Sequence, residues 1–217
     1  MMTLLNGPNT PFGRLAWVTA LQLGIEVENR VIDVYSAGFL DALNPLRQIP
    51  TLVLDGNHAL FDSRVICTYF HSLRPEAEII PMSDWAVQTR WSLAVGLMEA
   101  SVARTMEMRR QASERNTPAV AKHDQRIPRV IAALEAQAEE ICDGRARIDR
   151  LATAVVLEYI DFRGVIDWRD TAPRLARWLE NETTRPSLMA SRPYDVLPGA
   201  AGDRSTLRSQ MLGSTSS

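Results

Sequence analysis

NPLRQIPTLVLDGNHALFDS, residues Asn44 to Ser63, is the stretch from which the fold of this 217-residue chain is read. Pro50 stands directly before a β-rich apolar run, Thr51-Leu-Val-Leu54. A proline there removes a ladder donor and needs a reason. A tight or cis turn supplies one, because it leaves neighbouring backbone groups unpaired. Asp55-Gly-Asn57 is a hairpin signal between strands expected at about 51–54 and 58–61. Asp62-Ser63 then opens a helix through Arg64-Val-Ile-Cys-Thr-Tyr-Phe70, where the pair is both a cap and an anion site. A free strand edge at one end and a free helix N-terminus at the other suit a small peptide-like anion.

Working outward, residues 3–6 are apolar and β-compatible, and Asn6-Gly-Pro-Asn-Thr-Pro11 is a dense turn cluster. A helix is expected from Phe12 to Leu23, with Thr10 near its N-cap, Pro11 in its first turn and Gly24 at its C-cap. Val27, Val31 and Ile32 mark a second strand within Glu26–Val34, which makes a βαβ unit with parallel strands. Residues 37–43 read as a short turn or helix, and the helix from Asp62 ends near Leu73. The sum is βαβ then ββα, a small mixed sheet with helices on its faces, complete by about residue 75. After Ile80-Pro81 helical periodicity takes over. Long helices are expected at Asp84 to about Arg110 and from near Pro118 to Cys142, the second kinked at Pro128. A helix at about 148–162 is apolar all round and reads as the centre of an all-helical domain. Another follows Pro173, and Pro186-Ser187 begins a last turn. The expected division is 1–75, a linker at 76–83, a helical domain at 84–196, and a flexible tail at 197–217.

Composition narrows the function. Hydrophobic content of 46% is that of a globular protein, and a net charge of −2 argues against nucleic acid as partner. The chain has no apolar run of membrane-spanning length, and MMTLLNGPNTPF lacks the basic region of a signal peptide, so a cytoplasmic protein is expected. Cys67 and Cys142 lie in helical patterns with no CxxC, and read as structural thiols. His58, His71 and His123 have no partner at metal-ligand spacing, so no metal is expected.

Six short motifs carry a resemblance. They are Asn9-Thr-Pro-Phe12 with Arg14, Asn44-Pro-Leu-Arg-Gln-Ile-Pro50, Phe61-Asp-Ser63, Gly96-Leu-Met-Glu99, Tyr159-Ile-Asp-Phe-Arg163 and Arg185-Pro-Ser187. Each is weak alone. Together, in this order across about residues 2–195, the chain resembles the glutathione transferase superfamily, a thioredoxin-like domain followed by a helical bundle. The pattern is most similar to bacterial members that begin Ser/Thr-Pro-Phe. The resemblance implies glutathione as co-substrate and a homodimer built on the two long helices. It implies that Pro50 is the cis-proline and that the Ile49 backbone pairs with the cysteinyl part of glutathione. Ser63 would take the γ-glutamyl carboxylate and Asp62 would help hold the amine. Gln48, where the family often has lysine, would reach the glycyl end. Glu99 would approach the γ-glutamyl amine of the other subunit.

A glutathione thiol is little ionised at neutral pH, since a free thiol has a pKa near about 8.5. A donor aimed at the sulfur from a helix N-terminus lowers that value. Thr10 offers a hydroxyl at that place, and Asn9 an amide one residue earlier. There is no Cys, Ser or Tyr from position 3 to 34, which disfavours glutaredoxin-like chemistry through a protein thiol. Thr10 and Asp62-Ser63 also have a plain reading as helix caps, and Glu99 as a solvated carboxylate. Phe12, Tyr35, Arg104 and Met106 are candidate walls of an electrophile pocket, while the Trp85, Trp91 and Met98 stripe reads as core or dimer packing. The expected reaction is conjugation of glutathione to small hydrophobic electrophiles, in a detoxifying role. A non-catalytic glutathione- or ligand-binding protein, and a glutathione-dependent isomerase or dehalogenase, are the alternatives. One departure stands out: the family's capping box before the central helix falls here on Arg147 and Arg150. Asp149 is expected to cap a shifted start, in a less stable second domain.

Overall fold

Four short strands set the frame of the computed structural model, which describes residues 1–55 and 58–195. β1 (Thr3–Asn6) pairs in parallel with β2 (Glu28–Val31) and antiparallel with β3 (Thr51–Val53). β3 pairs antiparallel with β4 (Ala59–Leu60), so the order is β2-β1-β3-β4. Parallel β1 and β2 need a crossover, and α1 (Pro11–Gln22) provides it. Pro11 lies in its first turn, where no backbone donor is lost, and Gly24 ends it at φ 62°. α2 (Ser63–Leu73) packs beside α1.

Successive strand residues point to opposite faces, and the two faces of β1 are covered differently. Leu4 joins a core with Leu15, Leu52, Ile66 and Phe70 beneath the helices. Leu5 closes a smaller cluster with Ala37 and Leu40, supplied by a 3-10 turn at Gly38–Ala42. The expected short turn at 37–43 is therefore the lid of the second face.

The helical half contains α3 (Trp85–Met108), α4 (Thr117–Glu135), α5 (Ala138–Ile141), α6 (Ile148–Arg163), α7 (Pro173–Glu182) and α8 (Pro186–Met189). Asp84 caps α3, accepting from the amides of Ala86 at 3.0 Å and Val87 at 3.1 Å. α6 is the buried centre, with Leu151, Val155, Val156 and Ile160 fully enclosed. One apolar cluster runs without a break from Leu4 and Phe70 to Trp91, Leu97 and Leu151. Ile79 and Ile80, between the halves, are buried, and the Ile148 amide donates to the Ile79 carbonyl at 2.9 Å.

Two expectations are corrected. The helix expected to reach Cys142 stops at Glu135 and resumes at Ala138. The stop frees the Glu135 carboxylate to accept from the Arg174 amide at 3.1 Å and the Leu175 amide at 3.0 Å, which caps α7 from outside. Pro128 sits inside α4 and does not end it. Asp149 is not the cap of α6. Arg147 holds that position without a side-chain cap bond, and Asp149 lies in the first turn, fully buried. There it accepts from Arg90 Nε at 2.7 Å, Arg147 Nε at 3.3 Å and its neighbour's amide at 3.0 Å. An ion pair to α3 stands where a cap was expected. The turn at Gly56-Asn57 and the tail at 197–217 lie outside the described residues.

Candidate functional site

Strand register gathers three segments at one end of the sheet. Leu52 faces Leu60 and Val53 faces Ala59, so the same ladder continued sets Pro50 beside Asp62. Leu5 faces Thr51, so the chain leaving β1 passes the same end. The contact is close: a Cβ placed on Gly7 would lie 2.9 Å from Ile49 Cδ1. The Gly7–Thr10 loop, Ile49-Pro50 and the N-terminus of α2 therefore converge.

The Ile49–Pro50 peptide is cis. The loop leading to it is held by Asn44, which is 1% exposed. Its Nδ2 donates to the Gln48 carbonyl and to Thr51 Oγ1, both at 2.9 Å, and its Oδ1 accepts from the Leu46 amide at 3.0 Å. Thr51 Oγ1 also donates to the Gln48 carbonyl at 2.9 Å. With the Gln48 carbonyl taken, its exposed side-chain amide is left without a partner among the described residues. Asn44 was quoted in the sequence without a role. An Asn opening a Pro-containing loop was the signal for it.

At the start of α2, Asp62 Oδ1 accepts from the Arg64 amide at 2.9 Å. Asp62 is thus a cap, with its second oxygen unspent. Ser63 follows as the first helical residue, buried, with its hydroxyl uncommitted among the described residues. Amides of a first helical turn have no intrahelical acceptor. This end of the helix therefore presents donors and a positive dipole to an anion.

On the facing loop, Thr10 is the N-cap of α1, yet its side chain makes no cap bond. Among the described residues its hydroxyl has no partner and is free to donate. Asn9 Nδ2 is partly spent on Asp195 Oδ1 at 3.3 Å. Asn6, read in the sequence only as part of a turn cluster, is 3% exposed and anchors the loop. Its Oδ1 accepts from the Gly7 amide at 2.7 Å and its Nδ2 donates to Asn29 Oδ1 at 3.1 Å.

The remaining candidates are not drawn into this cluster. Glu99 is exposed on α3, with a carboxylate oxygen 3.9 Å from Arg126 of α4. Arg104 is tied to Asp124 of α4 through its Nε. Tyr35 and Met106 are exposed, and Phe12 packs half-buried against the core. A cavity of about 320 Å³ lies in the helical half between α6, α7 and the segment at Arg192, and none of these residues lines it. The convergence of backbone edge, helix start and loop nevertheless carries more chemistry, because a strand edge and a helix terminus bind from an open groove.

Cys67 of α2 is fully buried, and burial pushes its thiol up to about 12, with a Thr19 hydrogen bond opposing. Cys142 is half-buried and pushed up to about 11, again chiefly by burial. Neither supplies a thiolate. Among the described residues no group of three or more His, Cys, Asp or Glu is placed to hold a metal ion, and no helix is long and apolar enough to cross a membrane.

A family model described as glutathione S-transferase, N-terminal domain, matches residues 10–73. A comparison with curated proteins finds no match. Among solved structures, a glutathione transferase family member from Pseudomonas fluorescens Pf-5, with bound glutathione, is similar at 31% identity and TM-score 0.82 over 90% of this chain and 100% of that one. The glutathione S-transferase of Methylobacillus flagellatus KT, with glutathione bound, is similar at 28% identity and TM-score 0.83 over 89% of this chain and 100% of that one. The glutathione S-transferase of Methylobacterium radiotolerans shares the fold, with 23% identity and TM-score 0.80 over 94% of this chain and 98% of that one.

Proposed function

The chain belongs to the glutathione transferase family, and from that premise we propose that it joins the sulfur of glutathione to small hydrophobic electrophiles. The observation that carries the reading is the meeting of Ile49-Pro50, the α2 N-terminus and the Gly7–Thr10 loop at one end of the sheet. The Ile49 backbone pairs with the cysteinyl part of the tripeptide. Ser63 and the first-turn amides of α2 take the γ-glutamyl carboxylate, and the spare oxygen of Asp62 takes the amine. Gln48 reaches the glycyl end with a donor but no charge. Glu99 approaches the amine bound in the partner subunit of a homodimer. The bound thiol loses its proton to water. The sulfur lone pair then forms the C–S bond as the leaving group departs with its own pair.

Thr10 is the activating donor in this reading, because its hydroxyl is unspent at a helix N-terminus while the Asn9 amide already has a partner. In this reading the chain is a Ser/Thr-type member, acting in the cytoplasm through a sheet domain at 1–75 and a helical domain at 84–196. Thiolate absorbance of the glutathione complex tests the assignment. Thr10→Ala is expected to raise the bound thiol's pKa by about one unit, the worth of one hydrogen bond to a charged group, and Asn9→Ala by less. No change in either variant removes the assignment. Retention on immobilised glutathione without turnover of a chloronitrobenzene would make the chain a binding protein instead.

A further inference from the structure

We propose a second site, for a small oxyanion, in the cavity of about 60 Å³ that Arg14, Asn29 and Arg192 line at the β1–β2 side of the sheet. Arg14, on α1, is 5% exposed. Its Nη2 donates to Glu158 Oε2 at 2.6 Å and to the Leu188 carbonyl at 3.2 Å, and its Nε to Ser191 Oγ at 3.3 Å. Its Nη1 is buried and has no acceptor. A buried guanidinium N–H left unpaired is costly, so such a group points to an acceptor that completes it.

Arg14, Asn29 and Arg192 bring side-chain donors to the cavity. The Asn29 carbonyl oxygen is occupied by Asn6 Nδ2, which leaves the Asn29 amide to donate. Ser191 accepts from Arg14 and donates to the Leu188 carbonyl at 3.2 Å. Arg192 forms no ion pair among the described residues. No Asp or Glu lines the cavity. Arg14 is paired with Glu158, and Arg192 brings a second cation to the lining. Burial above all holds the Arg14 guanidinium below its ordinary pKa, with Glu158 opposing and Arg192 adding to the depression. A donor-lined, cation-rich space the size of about two water molecules suits phosphate or a carboxylate group.

The place is distinct from the glutathione groove. That groove is at β3 and the start of α2, whereas this cavity is walled by Asn29 and Val31 of β2, on the opposite edge of the sheet. Gly7 and Pro8 line it too. An occupant shares a wall with the loop that leads to Thr10.

The test is calorimetric titration of the whole protein with inorganic phosphate, and separately with acetate, against chloride at matched ionic strength. Saturable binding of either is expected. Arg192→Gln, which removes an exposed side chain without breaking an ion pair among the described residues, is expected to weaken it about tenfold, ~1.4 kcal/mol, and Ser63→Ala to leave it unchanged. Phosphate alone would mark a tetrahedral oxyanion, and acetate as well would extend the site to carboxylates. Absence of binding above the chloride control overturns the proposal. So does binding that survives Arg192→Gln, which would place the anion elsewhere, at the α2 N-terminus if Ser63→Ala abolishes it.

Discussion

Replacing Asp149 with leucine removes the carboxylate on which the start of α6 depends. Asp149 is fully buried, and Arg90, its partner at 2.7 Å, has a side chain only 7% exposed. Arg147 keeps Asp143 and the Glu140 carbonyl as partners, so Arg90 is the group left stranded. Breaking a buried pair by removing one member costs about 3–5 kcal/mol, because the other charge stays buried without compensation. A lost surface pair would cost under about 1 kcal/mol. At about 2–4 °C per kcal/mol for a chain of this size, the expected drop in melting temperature is roughly 6–20 °C. The double variant Arg90→Met/Asp149→Leu separates causes. If the cost is the stranded charge, the second change restores most of the loss, and a double-mutant cycle gives a coupling of about 3 kcal/mol. If Asp149→Leu alone shifts the melting temperature by less than 3 °C, or if the double variant is as unstable as the two losses added, the ion pair is not what holds α6 to α3.

Asn44→Ala deletes three hydrogen bonds in front of Pro50, and at roughly 1 kcal/mol each it should cost about 2–3 kcal/mol of stability. It should also weaken retention on immobilised glutathione, and unchanged retention would mean the loop is not part of the groove. Burial would raise the Glu182 pKa, but hydrogen bonds from Arg150 and Arg185 hold it below the ordinary carboxylate value. A depressed folded-state pKa gives stability that is full above the unfolded value of about 4.3 and is lost as pH falls through the folded value. Glu182→Gln should therefore be less stable than wild type at pH 7, with the gap closing below about pH 4 in denaturant titrations. A thiol reagent at pH 8 should label neither Cys67 nor Cys142 in the folded protein, since burial pushes them to about 12 and about 11, and should label both after unfolding.

What the sequence made legible follows from how far each interaction reaches. Gly24, Asp62, Asp84 and Pro11 act within a turn of their own helices, so their residue types announce them. Pro50 was legible because a proline before a strand is awkward wherever it occurs. Glu135 was not, because the amides it caps lie 39 and 40 positions away, and nothing in a run of alanine and glutamate ends a helix there. The pairing of Asp149 with Arg90 spans 59 positions and that of Arg14 with Glu158 spans 144. The sequence therefore shows an acid near a helix start and supports the local interpretation, a cap. In the candidate site the same rule divides the residues. Asp62 and Ser63 announce a helix start, while Asn44 takes its role from Thr51 seven positions on, and Asn6 from strand β2.

The position of the loop proposed to activate the thiol rests on absent atoms as much as on bonds. A Cβ on Gly13 would fall 1.6 Å from Asn6 Oδ1 and 3.0 Å from Thr10 Cγ2, so the first turn of α1 lies directly on the end of β1. A Cβ on Gly7 would meet Ile49 Cδ1 at 2.9 Å, so the loop also lies directly on the approach to Pro50. Between those two glycines the chain has little freedom to move Thr10 away from the groove. This bears on the choice between Thr10 and Asn9. Both sit in the constrained segment, but the Asn9 amide is drawn toward Asp195 beyond α8, and the Thr10 side chain makes no bond among the described residues. A helix N-cap threonine normally accepts, through its side-chain oxygen, from an amide of its own first turn. Here those amides go without it, and the hydroxyl is left at the positive end of α1, which is where the proposed assignment of Thr10 needs a donor.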